Sequence, residues 1–184
     1  CYVAAGLRRA GFEATVYNAE YDARRKTLVG NTNHLDVKGL LEQKQDYERR
    51  LHDDRDPVWV EVTRKLRRYD PDVIVISVFN VTLTAGNRIA AIAKRHNPDV
   101  VTVFEGAFNV GIRSAVDPSV AGDFGVMDIA LRGEPDESAV EVVQALARGQ
   151  RDLTGIDGVS WVDADGEVVH NPDRPHITDL DALP

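Results

Sequence analysis

Small hydrogen-bonding residues, glycines and aromatic rings gather in three short stretches, each directly after an apolar run. They are Ser77-Val78-Phe79-Asn80-Val81-Thr82, Glu105-Gly106-Ala107-Phe108-Asn109 and Arg132-Gly133-Glu134-Pro135. Ser77, Asn80 and Thr82 bring hydroxyl and amide groups to a helix start, where backbone N–H groups also face outward and favour a polar or anionic ligand. Gly106 lets a ligand come close to the backbone. Phe79 and Phe108 offer flat apolar walls. Each residue also has a plainer role, since Ser77 and Thr82 can cap a helix and both rings can be core. The chemistry on offer is that of holding a ligand, and the joint placement of the loops carries that reading further than any single side chain.

Covalent and metal chemistry find little footing. His34, His52, His96, His170 and His176 show no metal-ligand spacing and read as surface histidines. Asp163 and Asp165 resemble two positions of a calcium loop, but the remainder of such a loop is absent and a hairpin turn explains them. Glu134, Asp136 and Glu137 suggest acid–base work, but the positive end of a helix dipole accounts for at least two of them. The chain has no Gly-x-Gly-x-x-Gly, no phosphate loop ending in Gly-Lys-Ser/Thr and no Gly-x-Ser-x-Gly elbow, so classical dehydrogenase, nucleotide kinase and serine hydrolase readings lose support. A net charge of -8 argues against nucleic acid or an anionic membrane as partner. The basic clusters Arg24-Arg25-Lys26 and Arg64-Lys65-Leu66-Arg67-Arg68 read as solvated faces. No apolar run nears the roughly 20 residues that span a bilayer, and no signal peptide pattern is present. The single cysteine, Cys1, excludes an internal disulfide framework and suits a reducing, cytoplasmic setting.

The elements that must position these loops follow from periodicity. Residues 2–10 read as a helix through Val3, Leu7 and Ala10, stopped by Gly11. Residues 12–17 alternate apolar and polar and read as a strand. Residues 18–56 form a polar insertion with a helix at 37–51. Asp56-Pro57 is a helix start, with Asp as N-cap and Pro in the first turn. Val73-Ile74-Val75-Ile76-Ser77 and Val100-Val101-Thr102-Val103-Phe104 are continuous β-branched runs, the pattern of strands buried on both faces of a parallel sheet. Each follows a Pro-Asp pair, Pro71-Asp72 and Pro98-Asp99, so one βα unit repeats and implies a right-handed crossover. A short helix at 111–116, a third strand at 127–131 and a helix from Pro135 to Gly149 continue the series. Residues 158–162 and 167–169 flank an Asp-Gly turn and read as a β-hairpin.

The expected fold is therefore α/β, a doubly wound, Rossmann- or flavodoxin-like parallel sheet with flanking helices and a C-terminal hairpin. Residues 1–150 form the α/β domain, and 151–184 the hairpin and a linker. The sequence opens inside a helical pattern and closes on polar residues. It reads as one module of a longer protein, with a first strand expected ahead of Cys1. In such sheets ligands bind outside the carboxyl ends of the strands, which is where the three loops lie.

In this order the segments resemble the N-terminal cobalamin-binding domain of cobalamin-dependent radical SAM proteins. The resemblance rests on Tyr2-Val3-Ala4-Ala5-Gly6-Leu7-Arg8-Arg9-Ala10-Gly11-Phe12-Glu13 and on the Pro-Asp-strand-Ser segment at 71–77. It continues through Glu105-Gly106 after the next strand, Gly133-Glu134-Pro135-Asp136 at the last helix, the hairpin at 155–169 and Asp179-Leu180-Asp181-Ala182-Leu183-Pro184. It covers nearly the whole chain except the 18–56 insertion. Glu105 stands where the family has glycine, and Pro135-Asp136 where it has Gly-Glu. The resemblance implies a corrinoid partner, cobalamin, held by Ser77, Val78, Phe79, Asn80, Glu105, Gly106, Ala107, Gly133 and Glu134. The Asp-x-His-x-x-Gly signature is absent, and Thr32-Asn33-His34 lies after the wrong strand, so no protein histidine is expected on cobalt. The Cys-x-x-x-Cys-x-x-Cys motif is also absent. The resemblance therefore implies that an iron–sulfur cluster and S-adenosylmethionine serve a radical SAM domain after Pro184, one that carries out methyl transfer or related radical chemistry. Two other readings stay open: a domain that has lost cobalamin and docks partners or shapes a substrate channel, and a flavodoxin- or receiver-like signalling domain.

Overall fold

The structure, a computed structural model, describes residues 2–19, 37–79, 82–106, 127–179, 181 and 183–184. The expected helix at 111–116 lies outside the described residues. The chain divides into two compact bodies, Tyr17–Asp70, and Cys1–Val16 together with Pro71–Pro184.

The smaller body holds helices α2 (Val37–Leu51) and α3 (Pro57–Tyr69). The Asp56 carboxylate caps α3 by accepting from Val58 N at 2.9 Å, and Arg50 Nε donates to its other oxygen at 2.8 Å. Trp59 Nε1 donates to Arg50 O, so the α2–α3 turn is pinned from both sides. The helix ends at Asp70, which adopts φ 40° and donates its N–H to Leu66 O. Short polar side chains tolerate that left-handed conformation better than most.

The larger body carries helix α1 (Tyr2–Arg9), strand β1 (Val73–Ser77), helix α4 (Leu83–His96), strands β2 (Val101–Glu105) and β3 (Ile129–Leu131), helix α5 (Pro135–Ala147) and strands β4 (Val159–Val162) and β5 (Val168–His170). The five strands form one sheet in the order β1-β2-β3-β4-β5. The first three are parallel and the last two antiparallel, giving a mixed, mostly parallel Rossmann-like α/β sheet. The hairpin is thus not an appendage: β4 pairs directly with β3.

Side-chain alternation divides the core into two layers. Val103, Ile129, Leu131, Val159 and Trp161 pack with Val3 and Leu7 of α1 and Val142 and Val143 of α5. Ile76, Phe104 and Ala130 face the other way and pack with Ala90 of α4. Val103 and Phe104 are both fully buried, one in each layer. Burying a side chain of this size stabilises the fold by about 1.5–3 kcal/mol, so covering both faces selects the unbroken β-branched runs read in the sequence.

Two expectations are corrected. Residues 12–17 form no ladder among the described residues. Phe12 and Ala14 pack against the α1/α5 layer, and the Arg8 guanidinium donates to Ala14 O in place of a neighbouring strand. Alternation matched partial burial at Phe12 and Ala14 but not at Val16, which is 59% exposed, and burial does not require a ladder. The second strand runs one residue later than expected, so Glu105 is its last residue rather than the first of the loop.

Candidate functional site

The carboxyl ends of β1 and β2 meet in a tight crossing. Val78 N donates to Glu105 O at 2.8 Å, which extends the ladder one step past Ser77. Gly106 follows with φ +153°, and a Cβ built there would lie 1.8 Å from Val78 O. No residue but glycine fits that position without displacing the β1 loop. Behind the crossing, α4 presses in at Gly86. A Cβ there would stand 2.5 Å from Val78 Cγ1 and 3.2 Å from Phe104 Cε1. Val78, only 1% exposed, is therefore a packing residue held between the two glycines.

Its neighbours in sequence differ. Ser77 is exposed, and Phe79 is 57% exposed, an unusual position for a large ring. The turn that carries Phe79 is closed by Thr82, whose hydroxyl accepts from Phe79 N at 2.9 Å while its own N–H donates to Phe79 O. Thr82 makes no side-chain bond into α4, so it shapes the loop rather than capping the helix. Glu105 is half-buried and stands in register with Ser77 on one side and Leu131 on the other. Ser77, Phe79, Glu105 and Gly106 are thus brought together by the β1–β2 pairing. Asn80, Ala107, Phe108 and Asn109 lie outside the described residues.

The third loop is already engaged. Gly133 is exposed at φ +75° with no atom near a built Cβ, so its role is the turn itself. Glu134 Oε2 accepts from Ile177 N at 2.6 Å, and its Oε1 stands 3.4 Å from His176 Nδ1. The C-terminal segment thus lies along the start of α5 as a strap. Arg174 fixes it with ion pairs to Glu137, at 2.8 Å, and Glu141. Burial works against the Arg174 charge, but the bonds to Glu141 and Glu137 outweigh it and hold its pKa above the ordinary arginine value.

Arg132, whose side chain is only 3% exposed, anchors the same strap from beneath. Its guanidinium donates to Val159 O at 3.0 Å, to Ser160 Oγ, to Asn171 O and to Asp173 Oδ1 at 2.8 Å. Asn171 in turn donates to the carbonyls of Leu153 and Ile156. Nothing in the spacing of Arg132, Asn171 and Asp173 announced this network. The one local signal was an arginine ending a fully apolar strand, which calls for buried acceptors.

At the opposite end of the sheet, Asp128 Oδ2 accepts from Thr102 N at 2.7 Å and Thr102 Oγ1 at 2.8 Å, and pairs with Lys94 Nζ at 2.7 Å. This cluster joins β2, β3 and α4 away from the loops. Among the described residues no group of three or more His, Cys, Asp or Glu is placed to hold a metal ion, and no helix is long and apolar enough to cross a membrane.

No family model matches the chain. It is similar to a cyclase and to a methyltransferase. The first is the anaerobic magnesium-protoporphyrin IX monomethyl ester cyclase of Rubrivivax gelatinosus, 29% identical over 125 residues, covering 67% of this chain and 22% of that protein. The second is an uncharacterized methyltransferase of Pyrococcus horikoshii, 29% identical over 132 residues, covering 70% of this chain and 27% of that protein. The chain thus spans about a quarter of the length of these curated relatives.

Proposed function

We propose that this chain is a corrinoid-binding module, with cobalamin seated on the loops after β1 and β2, serving a radical SAM catalytic domain of the same protein. The observation that carries the reading is the β1–β2 crossing. It presents exposed Ser77 and Phe79 beside Gly106 at the carboxyl end of a parallel sheet, where open α/β folds bind ligands. The ordered motifs and the likeness to a cyclase and a methyltransferase support the same reading.

The residues present fit the group in part. Phe79 offers a flat apolar face to a planar ring, and Ser77 a hydroxyl to its polar rim. Gly133 and Glu134 would contribute only through the turn, because the Glu134 carboxylate is held by Ile177. Bound cobalamin would supply methyl-group or radical chemistry to the downstream domain, while this chain's residues bind and orient it.

Titration of the purified chain with hydroxocobalamin tests the reading. A shifted visible spectrum and corrinoid retained through gel filtration are expected. An unchanged spectrum with no retained corrinoid refutes it. A second reading, a docking module that has lost the cofactor, draws on the strap that occupies the third loop and on Glu105 at the crossing. Under that reading Glu105→Gly raises corrinoid affinity from near zero. Under the first reading it changes little.

A further inference from the structure

The fully buried Ser160 hydroxyl links the root of the strap to a titratable ring. Ser160 on β4 stands in register with His170, the last residue of β5, and its Oγ lies 2.8 Å from His170 Nδ1. Arg132 donates to the same oxygen, and every N–H of its guanidinium is taken. Nη1 serves Val159 O and Ser160 Oγ, Nη2 serves Asn171 O and Asp173 Oδ1, and Nε reaches Asp173 Oδ1 as well. A guanidinium only donates, so the Ser160 hydrogen cannot point at Arg132. Among the described residues the acceptor left to it is His170 Nδ1. The docked ring is therefore neutral, with its proton on Nε2. The charged groups gathered at this cluster are Arg132, from the end of β3, and Asp173, from the strap. Lys94 of α4 is held by Asp128 at the opposite end of the sheet. The root itself is tied to β4 and its approach by Asn171 N on Val159 O and by Gly158 N on Pro172 O.

We infer that His170 is a pH-sensitive pin: its neutral ring holds the root of the strap, and a proton on Nδ1 loosens that root from the sheet. The proton comes from solvent, and no covalent bond elsewhere changes. A protonated ring turns an N–H toward Ser160 Oγ, which already accepts from Arg132. The hydroxyl hydrogen then has no acceptor at a fully buried position, and the new charge faces the guanidinium. A buried donor left unsatisfied is costly, and lifting the root relieves the cost by letting water reach Ser160. The docked ring thus resists protonation, while the ring of a lifted root titrates near the ordinary histidine value, about 6.5. Docking that lowers a histidine's proton affinity is favoured in full above that value and loses ground as pH falls below it. The pin acts whatever the loops after β1 and β2 bind.

The test is nuclear magnetic resonance on the isotope-labelled chain. Ring nitrogen shifts read the tautomer directly, and His170 is expected to carry its proton on Nε2 at neutral pH. Its titration midpoint is expected to rise by about one pH unit in Ser160→Ala, where no hydroxyl hydrogen needs the ring as acceptor. Amide exchange then reads the strap. After correction for the intrinsic rate, opening at Asn171 and Gly158 is expected to increase about fivefold from about pH 7 to about pH 5.5. The same step is expected to vanish in His170→Gln, whose amide oxygen still accepts from Ser160, and to be absent at Val101, whose N–H bonds Asp72 O in the parallel part of the sheet. A ring proton on Nδ1 at neutral pH, or a midpoint unmoved in Ser160→Ala, overturns the inference. So does opening that ignores pH, or that rises equally in His170→Gln or at Val101. The tautomer and the His170→Gln comparison decide the matter even where Ser160→Ala fails to fold.

Discussion

Replacing Gly106 by alanine puts one methyl group into the β1–β2 crossing, and its cost can be worked from the structure. The new Cβ would lie 1.8 Å from Val78 O and 3.0 Å from Val78 C, so a backbone segment must move rather than a side-chain tip. The φ of +153° is one that alanine rarely adopts, a strain of about 1–3 kcal/mol. Displacing the Val78 carbonyl also pulls Val78 N from Glu105 O, which removes about 0.5–1.5 kcal/mol. Together these predict a loss of about 2–4 kcal/mol. Gly133→Ala is the control. Its φ is +75° but no atom stands within 4 Å of the built Cβ, so only backbone strain of about 1–2 kcal/mol applies. Urea unfolding of both variants gives the two costs, and amide exchange at Val78 locates the difference. If Gly106→Ala costs no more than Gly133→Ala, the crossing is not the constraint described and the geometry at the carboxyl ends of β1 and β2 is wrong.

Arg132→Ala should destabilise the larger body by about 2–4 kcal/mol, because buried acceptors at Val159 and Asn171 lose their donor. Asp173→Asn should cost under about 1 kcal/mol, because that carboxylate is 74% exposed, and denaturant midpoints compare the two. Glu134→Ala should release Ile177 N and speed amide exchange and proteolysis at the strap by about tenfold, with global stability nearly unchanged. The Asp152 carboxyl is held below its ordinary value by hydrogen bonds from Thr154. A carboxyl lowered on folding contributes stability above its unfolded value, near 3.8, and loses that contribution as pH falls through the lower folded value. Asp152→Asn should therefore lower stability slightly near pH 7, with the difference from the parent chain shrinking as pH falls below about 4, so that the acid limb of the stability curve is flatter.

Much of the architecture was legible because one physical demand wrote it. A strand covered on both faces needs apolar residues at every position, and Val73-Ile74-Val75-Ile76 met that demand and became β1. Asp56-Pro57 foretold the start of α3 because an unpaired helix terminus needs an acceptor and tolerates proline. The segment at 12–17 misled for the converse reason. Alternation reports that one side is buried, and Phe12 and Ala14 are partly buried, but it cannot say whether a neighbouring strand supplies the ladder.

The site divides along the same line. The amino-acid sequence by itself determined that the loops after β1 and β2 lie together at the carboxyl end of the sheet, because strand direction and order follow from the repeated Pro-Asp-strand pattern. It also placed glycine at 106 and a carboxylate at 105. Only the tertiary structure decided what these mean. Val78 became core because Gly86 and Gly106 close on it from two sides, and the Glu134 carboxylate was taken by a strap 43 residues further along the chain. Glu105 moved from loop to strand end, in register with Ser77. Which side chains remain available to a ligand depends on contacts between distant segments. Local spacing does not encode those contacts; the pairing of β1 with β2 creates them.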